Sequence, residues 1–296
     1  MAADDKFQLY VYEGDYGLVS LEPECIQSIL YTKIAGVPAE VRHLSNFKYC
    51  VKYSAPSLVN GKLVSTNFDK MVTYFRTKNY NIDHFLSAKQ CSEMYALISL
   101  VNAKLRPILD YVYWVDVRNT EDFTFMWYIK ALPLPFNYTY PRKEKNKASD
   151  LMDALYPMDT NLDIIKGYLL SSATQCLTAI SARLGTLDFM FGSSPTTLDI
   201  VIYSYIAPLI KLPFPSNEFG NLFSLWPNLE AFVKRMDAKY MPNTPIGPKY
   251  LKKEDKTKTA NDDDISYTAV AIITLSAFSL LFGFAASRGL IQTQHL

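Results

Sequence analysis

An uncharged stretch near the C-terminus limits the possible folds of this chain more than any other feature. It runs from Ile265 to Ser287 and consists mainly of Val, Ile, Leu, Phe and Ala, with Ser, Thr and one Tyr as its polar members. As a helix it would be about 34 Å long, against about 30 Å for the hydrocarbon core of a bilayer. Helices of soluble domains keep a polar face, which this stretch lacks. The sequence predicts a transmembrane helix, with a buried core helix as the alternative.

The position of this stretch predicts how it reaches a membrane. Only a short tail, Arg288 to Leu296, follows it, so we expect insertion after synthesis, with the bulk of the chain in the cytosol. The N-terminus, MAADDKF, is neither an apolar signal nor an Arg-rich, acid-poor presequence. We therefore expect a C-terminal anchor in the lipid bilayer. The weakly basic flank, Arg288 with His295, favours the mitochondrial outer membrane over the endoplasmic reticulum.

Small residues recur every four positions along the predicted span. Gly283 lies four residues after Ser279, and Ser287 lies four residues after Gly283. Such a stripe lets another membrane helix approach closely. The alternative is that small residues are simply common in membrane spans.

Charge and cysteine usage exclude several classes of function. The formal net charge is +1, so no global field attracts nucleic acid, and we expect no nucleic-acid partner. The four cysteines are widely separated and the three histidines are scattered. This spacing fits neither a zinc site nor a disulfide framework and suits a reducing cytosol. We expect no metal and no cofactor.

The first 80 residues alternate strand and helix patterns. A strand begins at Phe7, a helix runs from Pro23 to Gly36, and a second strand covers Ala39 to Asn46. Asn60-Gly61 between two apolar pairs predicts a hairpin, because both central residues of an Asn-Gly turn need positive φ. A helix follows from Asn67 to Phe75. These elements predict an α/β domain over residues 1–80.

Residues 81–240 read as helical. Ser87 with Gln90 forms a capping box, and Thr196 with Asp199 caps an apolar helix. The further predicted elements are helices at 120–132, 162–184 and 225–240 and a charged loop, PRKEKNK, at 141–147. Residues 241–264 are rich in proline, lysine and acidic residues and predict a flexible tether. The predicted organisation ends with the anchor at 265–287 and the tail at 288–296.

The order of these elements resembles the glutathione transferase architecture, a thioredoxin-like N-terminal domain followed by an all-α domain. Ala55-Pro56 looks like the cis-proline turn before the third strand of that family. The helix ending Tyr74-Phe75 matches the family's usual Tyr-Leu. Thr196-x-x-Asp199, preceded by FMFGSSP, resembles the cap of the core helix in the helical domain. The resemblance implies this fold for residues 7 to about 240.

The departures from the transferase pattern bear on function. The family's Glu-Ser pair, which holds the γ-glutamyl end of glutathione, falls on Asn67 and Phe68. Each charge-assisted hydrogen bond lost there would be worth about 1.5–3 kcal/mol. A transferase also places a Ser, Tyr or Cys after the first strand to lower the pKa of the thiol. Residues of those types are present here without a recognisable motif, namely Tyr12, Tyr16, Ser20 and Cys25.

A transferase-like body on a C-terminal anchor resembles the metaxin family. The stretches that carry the resemblance are GDYGLVSLEPEC, YNIDHFLSAKQ, YWVDVRN, WYIKALPLPFNY and ARLGTLDFMFGSSPTTLDIVIYSYIAPLI. The resemblance implies a non-enzymatic subunit of the mitochondrial sorting and assembly machinery that helps to insert β-barrel proteins. The implied partners are a second metaxin and the β-barrel insertase. An adaptor role toward a mitochondrial Rho GTPase and kinesin is also implied.

Two other functions stay open from the sequence. The first is a tail-anchored glutathione transferase-like enzyme, which position 68 argues against. The second is a lipid or peroxide sensor that uses Cys25 or Cys50, which requires an exposed thiol with a low pKa.

Overall fold

A computed structural model describes residues 7–159 and 161–251 of the 296-residue chain. Within these ranges no helix has both the length and the apolar character needed to cross a membrane. The predicted transmembrane helix, Ile265 to Ser287, and the tail from Arg288 lie outside the described residues.

A four-stranded sheet forms the N-terminal part. Its strands are β1 (Phe7–Val11), β2 (Ala39–His43), β3 (Ser57–Asn60) and β4 (Leu63–Ser65), in the spatial order β2-β1-β3-β4. Strand β1 pairs in parallel with β2 and antiparallel with β3. Leu9 and Val11 of this central strand are fully buried. The mixed sheet confirms the α/β character predicted for this part.

The predicted hairpin is present, but its turn is shifted by one residue. Asn60 pairs with Leu63, so the two loop residues are Gly61 and Lys62. Only Gly61 has a positive φ, +59°. Glycine at the first central position is what a type II′ turn requires, whereas an Asn-Gly turn of type I′ needs two positive φ angles.

Three helices pack with this sheet. They are α1 (Pro23–Ile34), α2 (Phe47–Lys52) and α3 (Phe68–Thr77). Helix α1 lies between the sheet and the helical part of the chain, where Gln27 donates a 2.9 Å hydrogen bond to Ser204. The short helix α2 has no buried residue and was not predicted from the sequence. The Ala55–Pro56 peptide bond before β3 is cis, as predicted.

Helices make up the remainder of the described chain. They are α4 (Ala88–Asp110), α5 (Val117–Asn119), α6 (Met126–Ala131), α7 (Phe136–Leu155), α8 (Leu162–Leu184), α9 (Thr197–Lys211), α10 (Glu218–Asn221) and α11 (Pro227–Tyr240). π-Helical turns at Tyr111–Val115 and Thr120–Phe125 connect α4, α5 and α6, and a 3₁₀ turn at Leu222–Leu225 precedes α11. Helix α9 is buried from Thr197 to Leu209 and forms the centre of this core.

The predicted loop PRKEKNK is wrong, because these residues lie inside helix α7. The buried residues of α7 are Asn137, Pro141, Ala148 and Met152, which recur at helical spacing. The charged residues between Pro141 and Ala148 mostly occupy the solvent side of the same helix. A run of charges that reads as a loop is here the exposed face of a packed helix.

The first part of the predicted tether packs against the body. The backbone N–H of Gly17 donates to the Pro245 carbonyl, and the Asp15 carboxylate accepts from the N–H groups of Lys249 and Tyr250. Glu13 accepts hydrogen bonds from both side chains, Lys249 and Tyr250. The predicted start of the tether at residue 241 therefore falls inside this packed segment. Met241 is buried and Tyr250 packs against the Trp127 ring, so apolar contacts and hydrogen bonds together hold this segment.

Candidate functional site

The two predicted glutathione-site positions, Asn67 and Phe68, face a cleft between the N-terminal and helical parts of the chain. The cleft has a volume of about 460 Å³ and is bounded by helices α1, α3, α4 and α9. Asn67 and Phe68 both line it, so the structure places these two predicted site residues together at the cleft. The volume would accommodate a small ligand.

Neither Asn67 nor Phe68 is arranged to hold a charged ligand. Asn67 is the N-cap of α3, and its side-chain oxygen accepts a 3.2 Å hydrogen bond from the backbone N–H of Lys70. Phe68 is 4% exposed, and its ring meets the ring of Tyr31 edge-on at 6.1 Å between centroids. Phe68 thus packs into the core and offers no hydrogen bond to the cleft.

The loop after β1 contains no activated thiol or hydroxyl. Burial raises the pKa of both phenols, Tyr12 and Tyr16. Cys25 is fully buried, and burial together with the negative charge of Glu22 raises its pKa well above the ordinary value. Ser20 is also fully buried. Tyr12, Ser20 and Cys25 are buried, and none of them lines the cleft beside Asn67.

Aromatic rings fill the space beside that loop. Tyr12 packs against Tyr140 at 4.7 Å and against Tyr128 at 6.0 Å between ring centroids. Trp114 stacks on Tyr128 at 5.5 Å. Such ring contacts stabilise the fold beyond the apolar area that they bury. The cluster leaves the β1–α1 loop packed rather than open.

Glu22 is a half-buried carboxylate at the edge of this aromatic cluster. Tyr140 donates a 2.9 Å hydrogen bond to it. Loss of hydration raises the pKa of Glu22 to about 7, the negative charge of Glu144 adds to the shift, and the Tyr140 hydrogen bond opposes it. Asp110, the last residue of α4, has a pKa of about 6. Burial raises this pKa, and the positive charge of Arg106 opposes the rise. These two carboxyl groups could not be predicted from the sequence, because they come together only in the folded chain.

An ionic clamp joins the two parts of the chain at one wall of the cleft. Asp83, which is 4% exposed, accepts from Arg76 at 2.7 Å. The same carboxylate accepts from the backbone N–H of Thr197 at 2.8 Å and from its hydroxyl at 2.6 Å. Arg76 belongs to α3 and Thr197 begins α9. Sequence reasoning missed Asp83, because nothing in the local pattern indicates a partner 114 positions away.

Arg106 is the second cation of the cleft, and its ion pairs are loose. Its guanidinium lies 3.9 Å from Glu24 and 3.8 Å from Asp110. Exposed pairs of this length contribute little to stability. The cleft therefore contains two arginines. The charge of Arg76 is balanced by Asp83, whereas Arg106 is only weakly paired. The cleft offers polar binding groups but, among its described lining residues, no cysteine thiol.

The predicted capping residues have a structural role. The Asp199 carboxylate accepts hydrogen bonds from the backbone N–H groups of Met190 and Thr196, each at 2.8 Å, and from the Thr196 hydroxyl at 2.7 Å. Burial raises its pKa to about 6, against the lowering effect of these bonds. Pro56 is buried in its cis turn. Ile265, Gly283, Ser287 and Arg288, the predicted anchor residues, lie outside the described residues.

The thiols do not support the sensor hypothesis. Cys50 is half-buried, its thiol donates to the Leu44 carbonyl at 2.9 Å, and burial raises its pKa. The pKa of Cys25 is raised as well. The low-pKa thiol that a sensor needs is present at neither position.

Solved structures with a similar fold are glutathione transferases. The transferase GSTFuA3 of Phanerochaete chrysosporium has a TM-score of 0.53 and 12% sequence identity, with 80% of this chain and 98% of that protein covered. A glutathione S-transferase of Ceriporiopsis subvermispora has a TM-score of 0.52 and 10% identity, with coverage of 79% and 98%. A profile of the glutathione S-transferase C-terminal domain matches residues 173–236. The chain has the glutathione-transferase fold.

The relatives of this chain share one family name. Metaxin-3 of Danio rerio is 30% identical, with 80% of this chain and 76% of the relative covered, and Metaxin-3 of Xenopus laevis is 34% identical, with coverage of 69% and 67%. Metaxin-1 of Mus musculus is 26% identical, with coverage of 97% and 92%. The profile Tom37, described as an outer mitochondrial membrane transport complex protein, matches residues 25–145. The chain belongs to the metaxin family.

Proposed function

We propose that this protein is a non-enzymatic scaffold subunit of the mitochondrial outer membrane that assists the insertion of β-barrel proteins. Membership of the metaxin family and the Tom37 match support a role in outer-membrane protein transport. The single observation that supports the non-enzymatic part is the buried ring of Phe68 in the wall of the cleft, at the position that we align with the glutathione-binding serine of a transferase. The same fold can host unrelated functions, so a transferase fold that binds no substrate can serve as a binding surface for partner proteins.

The proposal includes an organisation of the chain. A thioredoxin-like domain of residues 1–80 and a helical domain of residues 81–240 form the cytosolic body. The packed segment 241–251 and the residues up to 264 lead to an anchor at 265–287, which fixes the body to the outer membrane. The uncharged sequence of that stretch supports the anchor.

The proposed partners are a second metaxin and the β-barrel insertase of the sorting and assembly machinery. The test is affinity purification of the full chain from mitochondria in a mild detergent. We expect both partners to co-purify. Recovery of the protein alone would contradict the proposal. The family resemblance also brings an adaptor role, with a mitochondrial Rho GTPase and kinesin as partners, and the same purification from neuronal mitochondria tests it.

The competing function is a tail-anchored glutathione transferase-like enzyme. The shared fold favours it, and the cleft beside Asn67 has room for a ligand. The groups after β1 weigh against it, because Tyr12, Ser20 and Cys25 are buried and do not line the cleft. Saturable binding of glutathione is the observation that separates the two functions.

A further inference from the structure

Two segments that are distant in the sequence form one exposed apolar surface. Phe47 and Val51 of α2 are 54% and 64% exposed, and Leu134 and Tyr138 at the start of α7 are 66% and 57% exposed. Phe136 connects the segments, because its ring lies 6.0 Å from the ring of Phe47. We call these five residues the α2–α7 surface. Contiguous exposed apolar side chains of this size mark an interaction site more often than chance exposure does.

The α2–α7 surface carries only positive charge in its own segments. No Asp or Glu occurs between residues 41 and 68 or between residues 123 and 143. Both segments contain exposed basic residues, namely Lys48, Lys52, Lys130, Arg142 and Lys143. Large apolar side chains among lysines and arginines, with no acidic residue between them, match the pattern of surfaces that lie at the interface of anionic membranes.

The described chain also leaves the body beside this surface. Lys249 and Tyr250 bind Glu13 through their side chains. Ser45 lies beside the same carboxylate and helps to lower its pKa, and Ser45 lies two residues before Phe47. The last described residues therefore lie next to the N-terminal end of α2.

The sequence after this exit point is short. Thirteen residues, 252–264, separate Leu251 from Ile265. Even fully extended, they reach at most about 45 Å. If residues 265–287 cross the membrane as proposed above, the α2–α7 surface stays within that distance of the bilayer.

We propose that the α2–α7 surface rests on the anionic surface of the membrane that holds the protein. Phe47, Val51, Leu134 and Tyr138 would enter the headgroup region, and the neighbouring lysines and arginines would contact lipid phosphates. This inference rests on the proposed anchor for its proximity argument, while charge complementarity supports it independently. The surface would orient the body and so decide which other face meets its partner proteins.

The test places an environment-sensitive fluorophore on the full chain. Cys50 and Cys91 are first replaced by alanine, because the other two cysteines are buried. The label is attached to Val51→Cys, and separately to Leu225→Cys, a control of matched exposure at 63%. Each protein is mixed with vesicles of phosphatidylcholine and phosphatidylserine that carry a quencher in the lipid headgroup region. Carbonate extraction of the same sample reports on the anchor.

We expect a blue shift and loss of most emission at position 51, with little change at position 225. The double change Lys48→Glu and Lys52→Glu should abolish the quenching at position 51, whereas Lys89→Glu with Lys104→Glu, on the exposed side of α4, should not. Equal quenching at both positions, or none at position 51, would overturn the inference. A blue shift without lipid quenching would also overturn it and would indicate a protein contact. Extraction of the chain by carbonate would refute the anchor alone, because quenching at position 51 still reports on the surface.

Discussion

Phe68 is the residue at which this chain departs most clearly from a transferase. Its ring is 4% exposed at the start of α3 and packs against Tyr31. An apolar ring in this place exchanges a ligand contact for core packing. The exchange has a measurable consequence for stability.

Replacing the ring with the family's serine should destabilise the body. We expect Phe68→Ser to lower the free energy of unfolding by about 3 kcal/mol, because the lost ring leaves a cavity and adds a buried hydroxyl. Urea denaturation followed by circular dichroism measures the change. Phe85→Ser is the control, since Phe85 is 43% exposed, and it should cost less than about 1 kcal/mol. Equal costs for the two variants would show that Phe68 is not a core residue.

Glu22 should make the folded chain less stable as the pH rises, which is the opposite of the usual effect of a carboxyl group. Its pKa is about 7 in the folded chain and about 4.3 when unfolded, so the folded state binds the proton more tightly. Stability from this group is present below about pH 4.3 and is lost as pH rises through about 7. Asp110 and Asp199, with pKa values of about 6, act in the same direction.

Glu22→Gln tests this expectation, because glutamine mimics the protonated acid and can still accept from Tyr140. As the pH rises from 5 to 8, we expect the free energy of unfolding of the variant to gain on the order of 2 kcal/mol relative to that of the parent protein. Denaturation curves at both pH values measure it, with the exposed Glu121→Gln as control. A pH dependence that stays the same in Glu22→Gln would place the titration elsewhere.

At the level of elements, the fold depends on one buried carboxylate that links α3 to α9. Asp83 binds Arg76 and both donors of Thr197. Removing one partner of such a network leaves the others unpaired, which is costly. The clamp therefore explains how the two parts of the body stay together beside the cleft.

Asp83→Ala should lower the free energy of unfolding by about 3 kcal/mol. Hydrogen exchange should also speed up at the first turn of α9, where Thr197 loses its acceptor. Asp150→Ala, at an exposed position of α7, is the control and should change stability by less than about 0.5 kcal/mol. Unchanged exchange at α9 in Asp83→Ala would contradict the assigned role of the clamp.

Elements with strong local signals could be predicted from the sequence. The order of strands and helices up to Thr77 apart from the short helix α2, the cap at Ser87 and the end of α8 at Gly185, with φ +53°, follow from local pattern and turn chemistry. Helix α7 could not be recognised, because Ala148 and Met152 reveal its buried face only when the helices around them are known. The packed segment 241–251 escaped for the same reason, since its partners Glu13 and Asp15 lie at the other end of the chain.

The candidate site also contains some residues that could be predicted from the sequence and others that could not. Asn67 and Phe68 could be located by counting from Pro56, because the motif and its spacing are local. Asp83, Arg106 and the pair Glu22–Tyr140 could not, because each depends on groups brought together by the tertiary fold. A motif and its spacing locate a residue in the sequence. The pKa of that residue and its ion pairs depend on the tertiary structure.

At the level of the whole molecule, the predicted anchor raises a question of assembly. Gly283 stands in a stripe of small residues that can pack on another membrane helix. We expect Gly283→Leu to leave targeting to mitochondria intact, because it increases apolar character. Native gel electrophoresis of mitochondrial extracts then reports on the complex, with Leu280→Ile as a conservative control. Loss of the complex in Gly283→Leu alone would favour the packing stripe, and an unchanged complex would refute it.

The central claim is that a transferase fold has lost its ligand and serves as a scaffold. Calorimetric titration of the full chain with glutathione at millimolar concentration tests it most directly, with an active glutathione transferase as the positive control. We predict no saturable heat, because the proposed alignment puts Phe68 in place of the glutathione-binding serine and the groups after β1 are buried away from the cleft. Saturable binding would contradict the account and revive the tail-anchored enzyme.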